Sequence, residues 1–108
     1  MIFIVVKFTA RPEYSDQWLS EVDEFTKATR AEPGNIFFEW SKSVDTPHQY
    51  VLVEAFQDDA AEAHVTSDHF KKAVSRMSEL VATTPEIINV QGVPASGWSE
   101  MGEIQPQG

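Results

Sequence analysis

Two residues offer proton chemistry at a spacing that a small fold can close. Glu54 stands in the apolar run Tyr50 to Phe56, and His64 follows ten residues later in the segment Ala60 to Val65. An imidazole exchanges protons near pH 7 unaided. A carboxyl does so only if its surroundings raise its pKa, and Glu54 shares the alternate face of its run with Tyr50, Leu52 and Phe56. Burial of that face would desolvate the acid and bring it into a useful range. Each residue also has a plainer reading: His64 as a satisfied histidine at a helix end, Glu54 as a structural acid bonded to a neighbouring strand.

The elements that must position this pair can be read from hydrophobic periodicity. The run ending at Phe56 pairs with Asn35 to Lys42 across a polar turn that ends at Pro47-His48, which makes a β-hairpin. In the earlier strand Ile36, Phe38 and Trp40 share one face, with Phe37 and Glu39 on the other. Ile2 to Phe8 is a strand with apolar residues on both faces, so helices should cover one face and something else the second. Between them, from about Glu13 to Ala31, Trp18, Val22, Phe25 and Thr29 recur at helical spacing. Pro12 suits the first turn of that helix, and Pro33-Gly34 stops it.

After the hairpin, Asp58-Asp59 predicts the start of a short helix over Ala60 to Val65, because carboxylates there can accept unpaired backbone N–H groups. Thr66-Ser67-Asp68 breaks it, and Ser67 can cap a second helix. The stripe of that helix is Phe70, Val74, Met77 and Val81, with Ala73 and Leu80 beside it. Glu86 to Val93 reads as a fourth strand, with Ile88 and Val90 on one face. Pro94 to Gly108 is a tail without a core of its own, in which Trp98 is the one large anchor, able to pack on a partner subunit.

The resulting order, β-α-β-β-α-β, predicts an α+β fold of the ferredoxin-like, split βαβ kind: a four-stranded antiparallel sheet with helices on one face. The other face is left bare and apolar, for which homodimerisation is the simplest remedy. At 108 residues the chain is one domain, residues 1–93 with the tail 94–108.

Composition removes several function classes. Seventeen acids against eight bases give a formal charge of −9, which repels a phosphate backbone or an anionic membrane, so no nucleic-acid or membrane partner is expected. No cysteine is present, which excludes disulfides, thiolate metal sites and a Cys nucleophile, and cytoplasm is the default location. The apolar start lacks the pattern of a secretory signal, and no apolar segment reaches the roughly 18 residues of a membrane span. Three histidines without a His-Glu-x-x-His pattern suggest no metal set, and no Gly-x-Gly-x-x-Gly supports a dinucleotide.

Three stretches resemble the antibiotic biosynthesis monooxygenase superfamily when taken in order: Glu32-Pro33-Gly34-Asn35 with the aromatic run after it, Tyr50 to Phe56, and Ala63-His64-Val65-Thr66-Ser67-Asp68-His69-Phe70. The resemblance runs from about Met1 to Val93 and implies a dimeric α+β barrel. It also implies oxidation of a small aromatic, phenolic or quinol compound by O₂, without metal, flavin or heme, the substrate supplying the electrons. That chemistry asks for a base, for donors to hold oxygen atoms, and for an apolar wall. On this resemblance His64 is the candidate base or proton shuttle, and Glu54 orients it or acts as the base itself. Asn35, Trp40 and Tyr50 are candidates to hold substrate oxygens and Phe56 to form the wall. His69 joins them, although Ser67-Asp68-His69 also reads as a helix start.

His48 is expected to be solvated in its turn. Heme is disfavoured, because Val74 stands where heme-degrading relatives place an axial histidine, and Val5-Val6-Lys7-Phe8 lacks their first-strand asparagine. Two other readings stay open. One is an isomerase or tautomerase of a small hydroxyketone, like the relative that processes the autoinducer-2 signal. The other is a dimeric ligand-binding module without catalysis.

Overall fold

The computed structural model describes residues 1–108. Strands β1 (Ile2–Thr9), β2 (Asn35–Lys42), β3 (Gln49–Phe56) and β4 (Glu86–Val90) form one sheet in the order β2-β3-β1-β4, with every pairing antiparallel. Between β1 and β2 lie a 3-10 turn (Pro12–Gln17) and two short helices, α1 (Trp18–Glu21) and α2 (Asp23–Arg30). Helices α3 (Ala61–Val65) and α4 (Asp68–Leu80) connect β3 to β4. This is the four-stranded α+β arrangement that the alternation predicts. No helix is long and apolar enough to cross a membrane.

Alternation decides which face is covered. Ile2, Val6 and Phe8 of β1, Phe38 of β2, and Tyr50, Leu52, Glu54 and Phe56 of β3 are all buried. The registers place Glu54 directly between Ile4 and Phe38. Onto this face α1 and α2 press Trp18, Val22 and Phe25, with Thr29 fully buried behind them, so the helical stripe of the sequence is the buried one. The segment is nonetheless not one helix. Pro12 opens a 3-10 turn, and the chain breaks again at Val22, where φ is −97° and ψ 5°. Thr26 donates back to the Val22 carbonyl at 2.8 Å and accepts from Trp40 Nε1 at 2.9 Å, which ties the break to β2.

Three further details differ from expectation. Helix α3 starts at Ala60 with no side-chain cap, because Asp58 is drawn instead to the N-terminal ammonium, 3.2 Å away, at the neighbouring start of β1. In α4 the deeply buried residues are Ala73 and Leu80, whereas Val74 is 43% exposed. The helix is rotated so that one small residue lets its backbone approach, and Val74 falls at the edge of the contact. Finally, β4 ends at Val90. Gly92 takes a left-handed φ of 67°, after which Val93 and Met1 exchange backbone hydrogen bonds of 3.0 and 2.8 Å. Ser67 caps α4 as predicted, accepting from the Phe70 N–H at 3.2 Å.

The second face of the sheet carries Phe3, Val5, Phe37, Val51, Val53, Ile88 and Val90, and no helix covers it. From the tail, Trp98 reaches this face of its own chain. It packs on Phe37 at 5.0 Å between ring centroids and donates to Glu39 at 3.3 Å, yet remains 68% exposed.

Candidate active site

The site is built on a turn that cannot open. Glu32, Pro33 and Gly34 leave α2, and the Gly34 carbonyl accepts from Gln57 N–H at 2.8 Å, which binds the turn to the end of β3. A Cβ on Gly34 would lie 2.2 Å from that of Ala60, so only glycine lets the turn lie against the start of α3. Asn35 completes the clamp by donating both amide hydrogens, to the Phe37 carbonyl at 3.0 Å and the Ala55 carbonyl at 3.2 Å, across the irregular register between Asn35 and Phe37.

From this turn Glu32 extends to the break between α3 and α4. His64 lies in the last turn of α3, and its carbonyl accepts from both the N–H and the hydroxyl of Ser67, at 3.2 and 2.6 Å. His69 lies in the first turn of α4. One carboxylate oxygen, Glu32 Oε2, stands 2.8 Å from His64 Nδ1 and 2.6 Å from His69 Nε2. An ionised carboxylate only accepts, so each ring presents an N–H to it. In a neutral imidazole this fixes the tautomer and leaves the other nitrogen as an acceptor.

The surroundings are aromatic and largely dry. The His64 ring is 4.6 Å from Phe56 and 5.1 Å from Phe70, centroid to centroid, and His64 is only 5% exposed. Phe25 touches both imidazoles and Phe70. Glu54, 6% exposed, sits in the same layer. Burial pushes its carboxyl up from the usual 4.5 to about 7, and the negative Glu32 adds to the shift.

Solvent reaches the triad through His69, whose side chain is 27% exposed. It stands at one edge of a groove of about 430 Å³ between α2 and α4. The floor is Val22, Phe25, Ala28, Ala73, Met77 and Leu80, and the rim carries Glu21, Glu24, Asp68, Lys72 and Arg76. Arg76 grips Glu21 with two hydrogen bonds of 2.8 and 3.0 Å, which keeps the Glu21 carboxyl below its ordinary range.

The sequence-derived candidates therefore separate. Glu54, His64, His69 and Phe56 fall in one aromatic layer, but of these only His69 lines the groove. Glu54 and His64 lie beneath it. Asn35, Trp40 and Tyr50 give their polar hydrogens to the protein itself: Trp40 donates to Thr26, and Tyr50, stacked on Trp18, donates to the Ser15 carbonyl at 2.6 Å. None of the three lines the groove. Glu32 is the residue that sequence reasoning missed. It stood in a quoted motif, but its partners lie 32 and 37 positions away, on elements whose approach no local pattern encodes.

Comparison with known proteins agrees with this architecture. Residues 1–76 match the family described as antibiotic biosynthesis monooxygenase. A Bacillus subtilis (strain 168) protein named "Putative monooxygenase YcnE" is 26% identical over 92 residues, spanning 84% of this chain and 97% of its own. A crystal structure of an antibiotic biosynthesis monooxygenase superposes with a TM-score of 0.77 at 23% identity, covering 87% of this chain and all of its own. Protein SO0527 from Shewanella oneidensis superposes with a TM-score of 0.72 at 27% identity, covering 82% and 89%. The chain belongs to the antibiotic biosynthesis monooxygenase family.

Proposed function

We propose that the protein is a monooxygenase that oxidises a small phenolic or quinol substrate with O₂, using no cofactor of its own. The observation that carries this reading is the pair of imidazoles held on Glu32 at the edge of an apolar groove. A phenol bound there loses its proton to the free nitrogen of His69, which can pass the hydrogen it already holds on to Glu32, while His64 donates to the same carboxylate and steadies it. The phenolate is electron-rich enough to reduce O₂. One oxygen atom replaces a ring hydrogen and becomes a quinone carbonyl, and the other leaves as water, so that all four electrons come from the substrate. The aromatic layer around the rings keeps bulk water from the intermediate. The uncovered apolar face of the sheet is paired with that of a second copy, which makes the working unit a homodimer.

The test is oxygen uptake by metal-free protein over a panel of phenols and quinols. Loss of the base should lower kcat by about 10²–10⁴-fold, so folded His69→Ala and His64→Ala variants are expected to be nearly inactive. Unchanged turnover in both removes the imidazoles from the mechanism. Turnover that persists without O₂ replaces oxygenation by isomerisation, which needs the same base. Binding without product under any condition leaves a ligand-binding module.

A further inference from the structure

We propose that Glu32, His64 and His69 also form a binding site for a divalent cation of the zinc type, and that its binding switches the proton relay off. The inference rests on the same three side chains but not on the oxygenase reading, because it concerns what their donor atoms can hold. His64 Nδ1, His69 Nε2 and a Glu32 carboxylate oxygen all lie within 4.8 Å of one another. Two imidazole nitrogens and one carboxylate oxygen are a donor set that suits Zn²⁺ and its first-row neighbours. Mg²⁺ and Ca²⁺, which take oxygen ligands, are not served by it.

Two of the three ligand spacings need little adjustment, and the third, between the two ring nitrogens, is at most 4.8 Å, so that any excess over the tetrahedral separation is closed by turning a ring. Ligands about 2.0–2.2 Å from a tetrahedral zinc stand roughly 3.3–3.5 Å apart. The Glu32 oxygen is 2.8 and 2.6 Å from its two partners, the lengths of hydrogen bonds, so a withdrawal of under roughly 1 Å would open the required space. The Glu32 carboxylate is held only by the two rings, which leaves it free to make that movement. Three protein ligands leave a fourth position open, and the exposed edge of His69 on the groove provides access. The basic groups on the rim, Lys72 and Arg76, are already paired with Glu24 and Glu21, so they do not stand against a cation.

The consequence for the relay follows from proton accounting. A metal ion takes the lone pair of a ring nitrogen, so His64 Nδ1 and His69 Nε2 must give up their hydrogens. In a neutral imidazole that hydrogen moves to the second nitrogen, and neither ring then keeps an acceptor. The loaded triad can no longer take a proton from a substrate.

The probe is zinc chloride titrated into chelator-treated, tag-free protein by calorimetry, with Co²⁺ as a second probe read by its visible absorption. One ion per chain is expected. His69→Ala should weaken binding by at least about 10–100-fold, and the near-isosteric Glu32→Gln should do the same while preserving the thermal melt. His48→Asn, half-buried in the turn before β3 at a left-handed φ of 62° that asparagine tolerates, lies outside the triad and should bind as the parent does. Absence of saturable binding overturns the proposal, as does equal affinity in His69→Ala and the parent. These readouts involve no turnover, so they stand or fall independently of the oxygenase reading. If the oxygen-uptake panel yields a substrate, saturating Zn²⁺ should stop its oxidation and a chelator should restore it. A rate that rises with Zn²⁺ overturns the inhibitory half of the proposal.

Discussion

Replacing Glu54 by Gln should make the protein more stable in neutral solution and leave it unchanged in acid. The carboxyl is pushed from 4.5 to about 7, chiefly by burial between Ile4 and Phe38, so the folded chain holds this proton more tightly than the unfolded chain does. The favourable contribution is complete below the unfolded value and is lost as pH rises through the folded one. The gap of about 2.5 pH units corresponds to about 3 kcal/mol at 1.36 kcal/mol per unit. Glutamine mimics the protonated acid at every pH and escapes the loss. Urea unfolding of parent and variant at equal chain concentration, from pH 4 to pH 8, isolates the effect, because all other titrating groups are common to both. The difference in unfolding free energy should be near zero at pH 4, should reach about half its final value near pH 5.8, and should favour the variant by about 3 kcal/mol at pH 8. A difference that does not change with pH, or that grows in the parent's favour, would refute the assignment of a buried, proton-holding acid.

Other perturbations probe the frame around the site. Gly34→Ala drives a methyl into Ala60 and should cost about 1–3 kcal/mol in urea unfolding, most of it recovered in the Gly34→Ala, Ala60→Gly double variant. Tyr50→Phe removes the bond to the Ser15 carbonyl and should cost about 1–2 kcal/mol; oxygen uptake should be unaffected, since Tyr50 does not line the groove. Val53→Lys places a charge in the middle of the uncovered face, and size-exclusion chromatography should then show monomer where the parent elutes as a dimer, with the circular dichroism unchanged.

The sheet was legible because strand patterning is local. Each strand's alternation assigns its own face, and the faces of β1, β2 and β3 agree without reference to one another. The same rule placed Glu54 in the covered layer, from which its raised pKa follows. Helix periodicity fared less well at the edges: Trp18 to Thr29 was correctly oriented, but the break at Val22 depends on Thr26 bonding to Trp40, a contact across 14 residues. Val74 satisfied the spacing of α4 and still fell outside the contact, because spacing does not fix how far a helix is rotated on its sheet. The site was legible residue by residue but not as an assembly. Asn35, Trp40 and Tyr50 have side chains suited to holding substrate oxygens, and nothing in their order reveals that the backbone and Thr26 already occupy them. The role of Glu32 becomes visible only when two loops meet.

The junction between α3 and α4 is a two-residue interruption, the kind of place where a chain normally bends freely. Here its stiffness is governed from outside, since the acid that tethers one ring on each side of the interruption belongs to a turn more than thirty positions earlier. Removal of that acid, as in Glu32→Ala, frees both helices together, whereas a cation shared by the three side chains would tie them more tightly. Amide hydrogen exchange at Val65 to Asp68 should therefore report on events at residue 32, and the mouth of the groove should widen or narrow in step with them.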